Sequence, residues 1–429
     1  MGWLRTTSII GLLALGAGTV NAQPKAAAKP APKQVVTGPV ATYWMSAQTS
    51  SGFGAGMMGG KKPSMGAMMS MMTGGGGGAQ HSLILQLGSS RKATGAPQAE
   101  HLPPQGLGAG ASLPLLTPTA EPAQRTEEAP AMPREYQRPK GRMLIFWGCG
   151  DHARPGQPVV LDFAQMAAGK VPPGLAALGQ SLAITPMQPP SPGRNATYGE
   201  WPNAKTRTTV PSQASLVGQH TVQGNYSPNI AFALSPSQDF LAPLQLTTNT
   251  MGPMGSAVLG WNAVSGAQAY LASAVGGGEG GGGQVDLVLW TSSEVQASAF
   301  ALPDYLSNGD LTRLVASKAL MSAQTTRCAV PKEVMDAAPH ALVQLNAYGA
   351  ETNLSYPARP ADPRTPWNID WTVKVRYKSQ TGAILGMEMP GMDGGRQGPP
   401  QRPGQPPPKR PSIGGSILRG VLSGQIPGN

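Results

Sequence analysis

Seven methionines, Met57, Met58, Met65, Met68, Met69, Met71 and Met72, fall within sixteen residues, and Met387, Met389 and Met392 form a second group near the other end. Thioether sulfur is a soft ligand that suits Cu(I), and a flexible chain can wrap such an ion with three or four sulfurs without being prefolded. Handling of Cu(I) or Ag(I) is therefore one expectation for the segment. The same Gly/Met composition also suits a neutral linker, or an adhesive or oxidant-buffering stretch. No histidine lies inside the first group to strengthen the metal reading.

The other place where chemistry could sit is Gly148-Cys149-Gly150-Asp151-His152-Ala153-Arg154. Cys149 and His152, three apart, would suit a Cys/His nucleophile or half of a metal site, with Asp151, His152 and Arg154 as the groups of a loop site. A metal would need two more ligands, and His81, His101, His220 and His340 read as isolated. A packing role for the loop is the competing expectation. Cys149 and Cys328 are the two cysteines of the chain, and in an oxidising compartment one disulfide between them is expected. A reactive free Cys149 and two inert thiols remain the alternatives.

Motifs that would name an enzyme are weak or missing. Gly54-Ala-Gly-Met-Met-Gly59 fits the dinucleotide pattern in form, but Gly60, two lysines and a proline follow it where a helix should begin. Neither Gly-x-Ser-x-Gly nor His-Glu-x-x-His occurs. The pair Glu127-Glu128 lies in a Pro-rich stretch with no rigid scaffold to set a catalytic separation.

The start of the chain bears on where this chemistry would operate. Arg5, the apolar run Ile9 to Leu15 and the small-residue pattern Val20-Asn21-Ala22 read as a cleavable export signal over residues 1–22, with the mature chain starting at Gln23. The run is shorter than the roughly 20 apolar residues that cross a bilayer, and no cysteine follows to take a lipid. The expectation is an exported protein, periplasmic or extracellular, soluble or peripherally attached to the envelope, without a transmembrane span.

Of the net charge of +11, eight positive charges lie in residues 1–92 and five in residues 394–429, with no acid in either, which leaves residues 93–393 at −2. A nearly neutral body with basic arms is unlike a positive groove tracking nucleic acid. The arms suit an anionic envelope polymer or an envelope protein instead. Ile413, Ile417, Leu418, Val421 and Leu422 are spaced for a short helix, so segment 412–426 is a candidate for peripheral docking despite its glycines.

The elements that would position these groups are strands. With 57 Gly, 44 Pro and only 12% charged residues, the chain suits strands and turns better than surface helices. Strands are predicted over 40–49, 82–87 and 142–147, the last as a buried central strand, and over 159–163. A second set follows at 205–210, 220–223, 231–234, 244–247, 257–263, 267–275, 284–291, 342–347 and 371–378. Helix is expected at 331–337, after Pro331, with single turns at 165–170 and 304–306. Residues 50–80 form a Met/Gly-rich insertion, 89–140 a Pro-rich loop, 171–204 a linker, and 23–38 and 381–429 disordered arms. This divides the chain into an N-terminal β region, 39–170, and a C-terminal sandwich, 205–380. Because parallel sheets need crossover connections and helices are scarce, one or two antiparallel β-sandwich units are expected.

One stretch has a family shape. Val258-Leu-Gly-Trp-Asn-Ala-Val-Ser-Gly-Ala-Gln-Ala-Tyr270 resembles the second and third strands of fibronectin type III-like and immunoglobulin-like sandwiches. The resemblance covers residues 258–275. It implies that Trp261 fills the core, that Ser265-Gly266-Ala267 turns the chain and that Tyr270 opens the next strand. It departs at Gly276 to Gly283, expected as a Gly-rich hairpin loop. Such sandwiches mostly bind or space, so the leading expectation is a non-enzymatic exported binding or structural module. Soft-metal handling and an envelope hydrolase are the other two.

Overall fold

The computed structural model describes residues 34–52, 78–118, 141–170, 182, 184, 187–280, 284–296 and 302–387. The signal-like start, the leader 23–33, Gly54–Gly59, the Met57–Met72 group, Glu127-Glu128 and the segment 412–426 lie outside the described residues.

In chain order the described strands are β1 (Val36–Thr37), β2 (Ala41–Gly52), β3 (Gln80–Ser89), β4 (Ala99–Leu102), β5 (Leu113–Pro114), β6 (Arg142–Trp147), β7 (Val159–Asp162), β8 (Thr197–Trp201), β9 (Gly218–Gly224), β10 (Ile230–Leu234), β11 (Leu246–Met251), β12 (Ala257–Trp261), β13 (Ala267–Gly280), β14 (Gln284–Thr291), β15 (Met321–Ser322), β16 (Arg327–Val330), β17 (Leu342–Gly349), β18 (Thr352–Tyr356), β19 (Trp367–Asn368) and β20 (Trp371–Ile384). The described α-helices are α1 (Phe163–Ala167), α2 (Asn308–Ala316) and α3 (Lys332–Ala337). The protein is mainly β.

Most strands build one large sheet in the order β7-β6-β14-β13-β17-β20-β2-β3-β8, with β15 beside β13 and β18 beside β20. Alternation decides its inner face: Tyr43, Met45 and Ala47 of β2, Val373 and Val375 of β20, and Leu83, Leu85 and Leu87 of β3 are all buried. Two smaller sheets, β10-β9-β4-β5 and β11-β12-β16, share one continuous core with that face. Tyr43 meets Phe232 of β10 at a ring distance of 6.4 Å, and Tyr270 of β13 meets Trp261 of β12 at 5.8 Å. The arrangement is two-layered, with the large sheet as common wall.

The expected purely antiparallel pairing is corrected: β2 runs parallel to β20, β6 to β14 and β1 to β19. Parallel neighbours need a long connection, and here it is supplied by other strands, because β2 and β20 stand at opposite ends of the described chain. The stretches 39–170 and 205–380 therefore contribute interleaved strands to one sheet and one core.

Local differences have local reasons. β8 lies within the expected linker 171–204, where Tyr198 and Trp201 are buried against β3. Residues 205–210 form no strand; Asn203 caps a turn there through Thr206 and Lys205. Residues 304–306 bend without a helical turn, and the helix starts later, at α2. Its N-cap Ser307 accepts from the Asp310 backbone N–H, and Leu311 and Leu314 bury against Leu271 and Tyr348 on the outer face of the sheet. β6 lies one strand from the edge, and only its Phe146 is fully buried, so it is less central than its apolar run suggests.

The expected loop at Gly276–Gly283 is strand as far as Gly280, paired residue for residue with β14. The glycines make room for α3. A Cβ on Gly276 would lie 2.7 Å from the Ala338 Cβ, and one on Gly278 would lie 2.0 Å from the Ala337 carbonyl oxygen. Gly278→Ala is expected to destabilise the fold by about 1–3 kcal/mol, since the backbone of α3 must shift. Gly309→Ala, whose Cβ enters open space on α2, should leave stability unchanged or raise it by up to about 1 kcal/mol. Urea unfolding of the two variants checks the contrast, and equal midpoints would refute the packing argument.

Candidate functional site

The loop after β6 is drawn into structural use at each candidate residue. Cys149 and Cys328 form a disulfide with Cα atoms 5.3 Å apart, which joins the end of β6 to β16. Gly150 N–H donates to the Ala329 carbonyl at 2.9 Å, and Lys332 N–H donates to the Asp151 carbonyl at 2.9 Å. The Asp151 carboxylate accepts from the Ser256 hydroxyl at 2.5 Å. His152 meets Glu333 at 3.1 Å, Ala153 N–H donates to the same carboxylate at 2.7 Å, and Arg154 pairs with Glu294. Desolvation opposes ionisation of Glu333, yet these hydrogen bonds hold its carboxyl below the usual range. The loop clasps β16, α3 and the β11–β12 hairpin together. No group of three or more His, Cys, Asp or Glu among the described residues is arranged to hold a metal.

Two histidines expected to be isolated meet instead. His101 of β4 and His220 of β9 are diagonal neighbours on one face, with Nε2 of His101 3.0 Å from Nδ1 of His220. Both are fully buried, and His220 stacks on Phe232. His220 Nε2 lies 2.7 Å from the Leu216 carbonyl, and the Tyr43 hydroxyl reaches His101 Nδ1. A carbonyl can only accept, so His220 carries its proton on Nε2, His101 donates from Nε2 to His220 Nδ1, and Tyr43 donates to His101. Each group is satisfied in its neutral form. Burial, and secondarily the neighbouring His220, holds His101 well below the usual histidine range, and burial lowers His220. This chain of groups closes the core and has no spare valence for a ligand.

The outer face of the large sheet differs. On β20, Lys374, Arg376 and Lys378 recur at every second residue and so point the same way, and β2 places Trp44, Ser46 and Gln48 directly opposite them. The Arg376 guanidinium lies 4.8 Å from the Trp44 ring centre and 4.4 Å from that of Tyr305, which sits between β14 and α2 in the chain. Nε and Nη2 of Arg376 donate to the Ser46 hydroxyl at 3.1 and 2.5 Å. Lys374 pairs with Glu351 at 2.6 Å and Lys378 with Asp304 at 2.7 Å. Arg376 has no carboxylate partner among the described residues. Three cations against two carboxylates leave one positive charge, held between two rings.

Burial lowers the Arg376 pKa somewhat, opposed by Tyr305, Glu351 and Asp304, and an arginine so placed stays charged. Stacking between rings fixes the plane of the guanidinium; its Nε–Nη2 edge is taken by the buried Ser46 hydroxyl, and the Nη1 side remains for hydrogen bonds. That side can receive a carboxylate, sulfate or phosphate oxygen. The alternation Lys-x-Arg-x-Lys was visible within the predicted strand 371–378, and it is the signal by which the cationic row could have been found. Trp44 and Tyr305 had no such signal.

No family model, curated protein or solved structure matches the chain.

Proposed function

We propose that the protein is an exported, non-enzymatic binding module that takes an acidic group of an anionic envelope polymer at the partly buried Arg376, on the outer side of its large sheet. The observation that carries the reading is Arg376, stacked between Trp44 and Tyr305, flanked by Lys374 and Lys378 and without a carboxylate of its own among the described residues. Export is supported by the signal-like residues 1–22 and by the Cys149–Cys328 bond. No helix among the described residues is long and apolar enough to cross a membrane. The non-enzymatic reading rests on the loop 148–154, where disulfide, ion pairs and hydrogen bonds engage the groups a nucleophile or acid would need. Trp261 and Tyr270 are both buried, and Gly266 turns the chain between them at φ +82°, so this stretch serves as scaffold in the present reading.

Fluorescent polygalacturonate and polyphosphate, titrated into the purified protein at several salt concentrations, test the proposal. Hydrogen bonds to a charged group contribute about 1.5–3 kcal/mol, so Arg376→Gln should weaken binding by roughly tenfold or more. Affinity should fall as salt rises. A chain ending at Met392 separates the sheet from the basic tail. If Arg376→Gln binds like the parent while truncation abolishes binding, the tail is the site and the proposal fails; it fails also if neither polymer binds.

A further inference from the structure

The two most exposed large apolar side chains among the described residues, Val35 at 62% and Tyr356 at 55%, are joined through one residue, Trp367, and Val36 beside them is 50% exposed. β1 runs parallel to β19 with Val36 opposite Trp367. Trp367 N–H donates to the Val35 carbonyl at 2.8 Å, and its indole N–H donates to the Pro357 carbonyl at 2.9 Å, which holds the residue after Tyr356 against β19. Tyr356 stacks on the buried Trp371, with ring centres 5.7 Å apart and planes 16° off parallel. Its ring is thus held in one plane while more than half of its surface meets solvent.

Cations frame this patch. The Arg359 guanidinium lies 5.6 Å from the Trp367 ring centre, and its Nε donates to the Gln34 side-chain oxygen at 2.9 Å. Gln34 Nε2 donates in turn to the Thr365 carbonyl at 3.0 Å, so the chain enters β1 beside the loop that carries Arg359. Lys25, Lys29 and Lys33 precede Gln34 in the sequence. Residues 23–37 and 356–370 together hold five basic side chains against two acids, Asp362 and Asp370, and Asp362 is paired with Arg364. Within the loop, Pro357, Ala358, Ala361, Pro363 and Pro366 are exposed as well. One surface is therefore apolar, aromatic and cationic at once.

We propose that this surface, with Val35, Val36, Tyr356 and Trp367 as its apolar contact and Arg359 with Lys25, Lys29 and Lys33 as its cationic one, docks the protein on an anionic lipid bilayer. Tyr and Trp favour the boundary between head groups and acyl chains, because each is apolar over most of its ring and carries one hydrogen-bonding group. Attachment to a bilayer grows with the apolar area buried and with the attraction of basic side chains to anionic head groups, and both contributions meet here. The excess of positive charge selects anionic lipid over neutral lipid. The surface is independent of the polyanion reading at Arg376, which rests on other side chains.

The test uses the chain from Gln23 to Asn429 and vesicles of phosphatidylcholine with or without phosphatidylglycerol, with bound protein measured by sedimentation. Binding is expected to the mixed vesicles and should be roughly tenfold or more weaker on pure phosphatidylcholine. Val35→Ser/Val36→Ser/Tyr356→Ser should weaken it by roughly tenfold or more. Lys25→Gln/Lys29→Gln/Lys33→Gln, which changes no described residue, should weaken it by roughly fivefold per charge. A second reading does not depend on how well the Ser variant folds. Lipid brominated on its acyl chains should quench the tryptophan fluorescence of the parent, and Trp367→Phe should remove most of that quenching, since Trp44, Trp201, Trp261, Trp290 and Trp371 are buried. Arg376→Gln should bind the vesicles as the parent does. The proposal is overturned if neither vesicle binds, if bound protein shows no quenching, or if removal of residues 393–429 abolishes binding while the Ser variant retains it, which would make the tail the docking device.

Discussion

Breaking the Cys149–Cys328 bond is expected to lower the urea midpoint more than any single core truncation of moderate size. The bond closes a loop of 179 residues, and the chain-entropy model gives a loop of that length about 5 kcal/mol as a ceiling, with about 2–4 kcal/mol typical of measured bonds. Much of that effect acts on the unfolded chain, so the double variant Cys149→Ser/Cys328→Ser should also unfold with a steeper denaturant dependence, because its unfolded state expands. The folded state has its own share. Cys328 lies in β16, an edge strand of the small sheet β11-β12-β16, and the bond anchors that edge to the end of β6. Hydrogen exchange at Gly150 and Lys332, whose N–H groups bridge the loop to β16 and α3, should quicken in the variant before exchange in β2 or β20 does. An unchanged midpoint would mean that the bond neither restricts the unfolded chain nor holds the edge, and the argument would fall.

The strand content was legible because alternation survives in the sequence wherever one face is buried. β6 and β14 were predicted to their exact ends, and β7, β9, β10, β12 and α3 within a few residues, since each carries a local pattern bounded by Gly, Pro or a polar turn. What could not be read was partnership. The parallel pairing of β2 with β20 joins segments about 330 residues apart, and nothing in either segment names the other. The same blindness hid the histidine pair: His101 and His220 are 119 residues apart, and only the placement of β4 beside β9 makes them neighbours. α2 was missed because it opens Asn308-Gly309-Asp310, residues of low helix propensity, and it is tertiary burial of Leu311 and Leu314 that holds it. The Gly276–Gly280 run misled for a related reason. Its composition reads as loop, but its cause is the closeness of α3, which composition does not record.

The buried series Tyr43, His101, His220 and the Leu216 carbonyl makes stability depend on pH in a defined window. In the unfolded chain both histidines titrate near 6.5; in the folded protein burial holds His101 well below that value and lowers His220. As pH falls beneath about 6.5 the unfolded chain binds protons that the folded one refuses. Stability is therefore full above that pH and is lost progressively down to the folded values, at about 1.4 kcal/mol per unit for each histidine. With two histidines the loss is steeper than with one and begins below about pH 6.5, above the range where most carboxylates titrate. His81, lowered chiefly by burial against the opposing effects of Asp239 and the Ala214 carbonyl, adds in the same direction.

Single and combined substitutions separate this network from simple packing. Tyr43→Phe removes the donor to His101 Nδ1 and leaves a buried acceptor unpaired, which is expected to cost about 1–3 kcal/mol at pH 8. The combination Tyr43→Phe/His101→Leu/His220→Phe removes every polar group of the chain except the Leu216 carbonyl. It should recover much of that loss at pH 8, because an apolar replacement leaves fewer orphaned partners, and it should flatten the dependence between pH 7 and pH 5 to the residue contributed by His81. Urea midpoints at pH 8, 7, 6 and 5 for the parent and both variants decide it. If the triple variant keeps the parent's slope, the acid sensitivity belongs elsewhere and the two buried histidines do not set it.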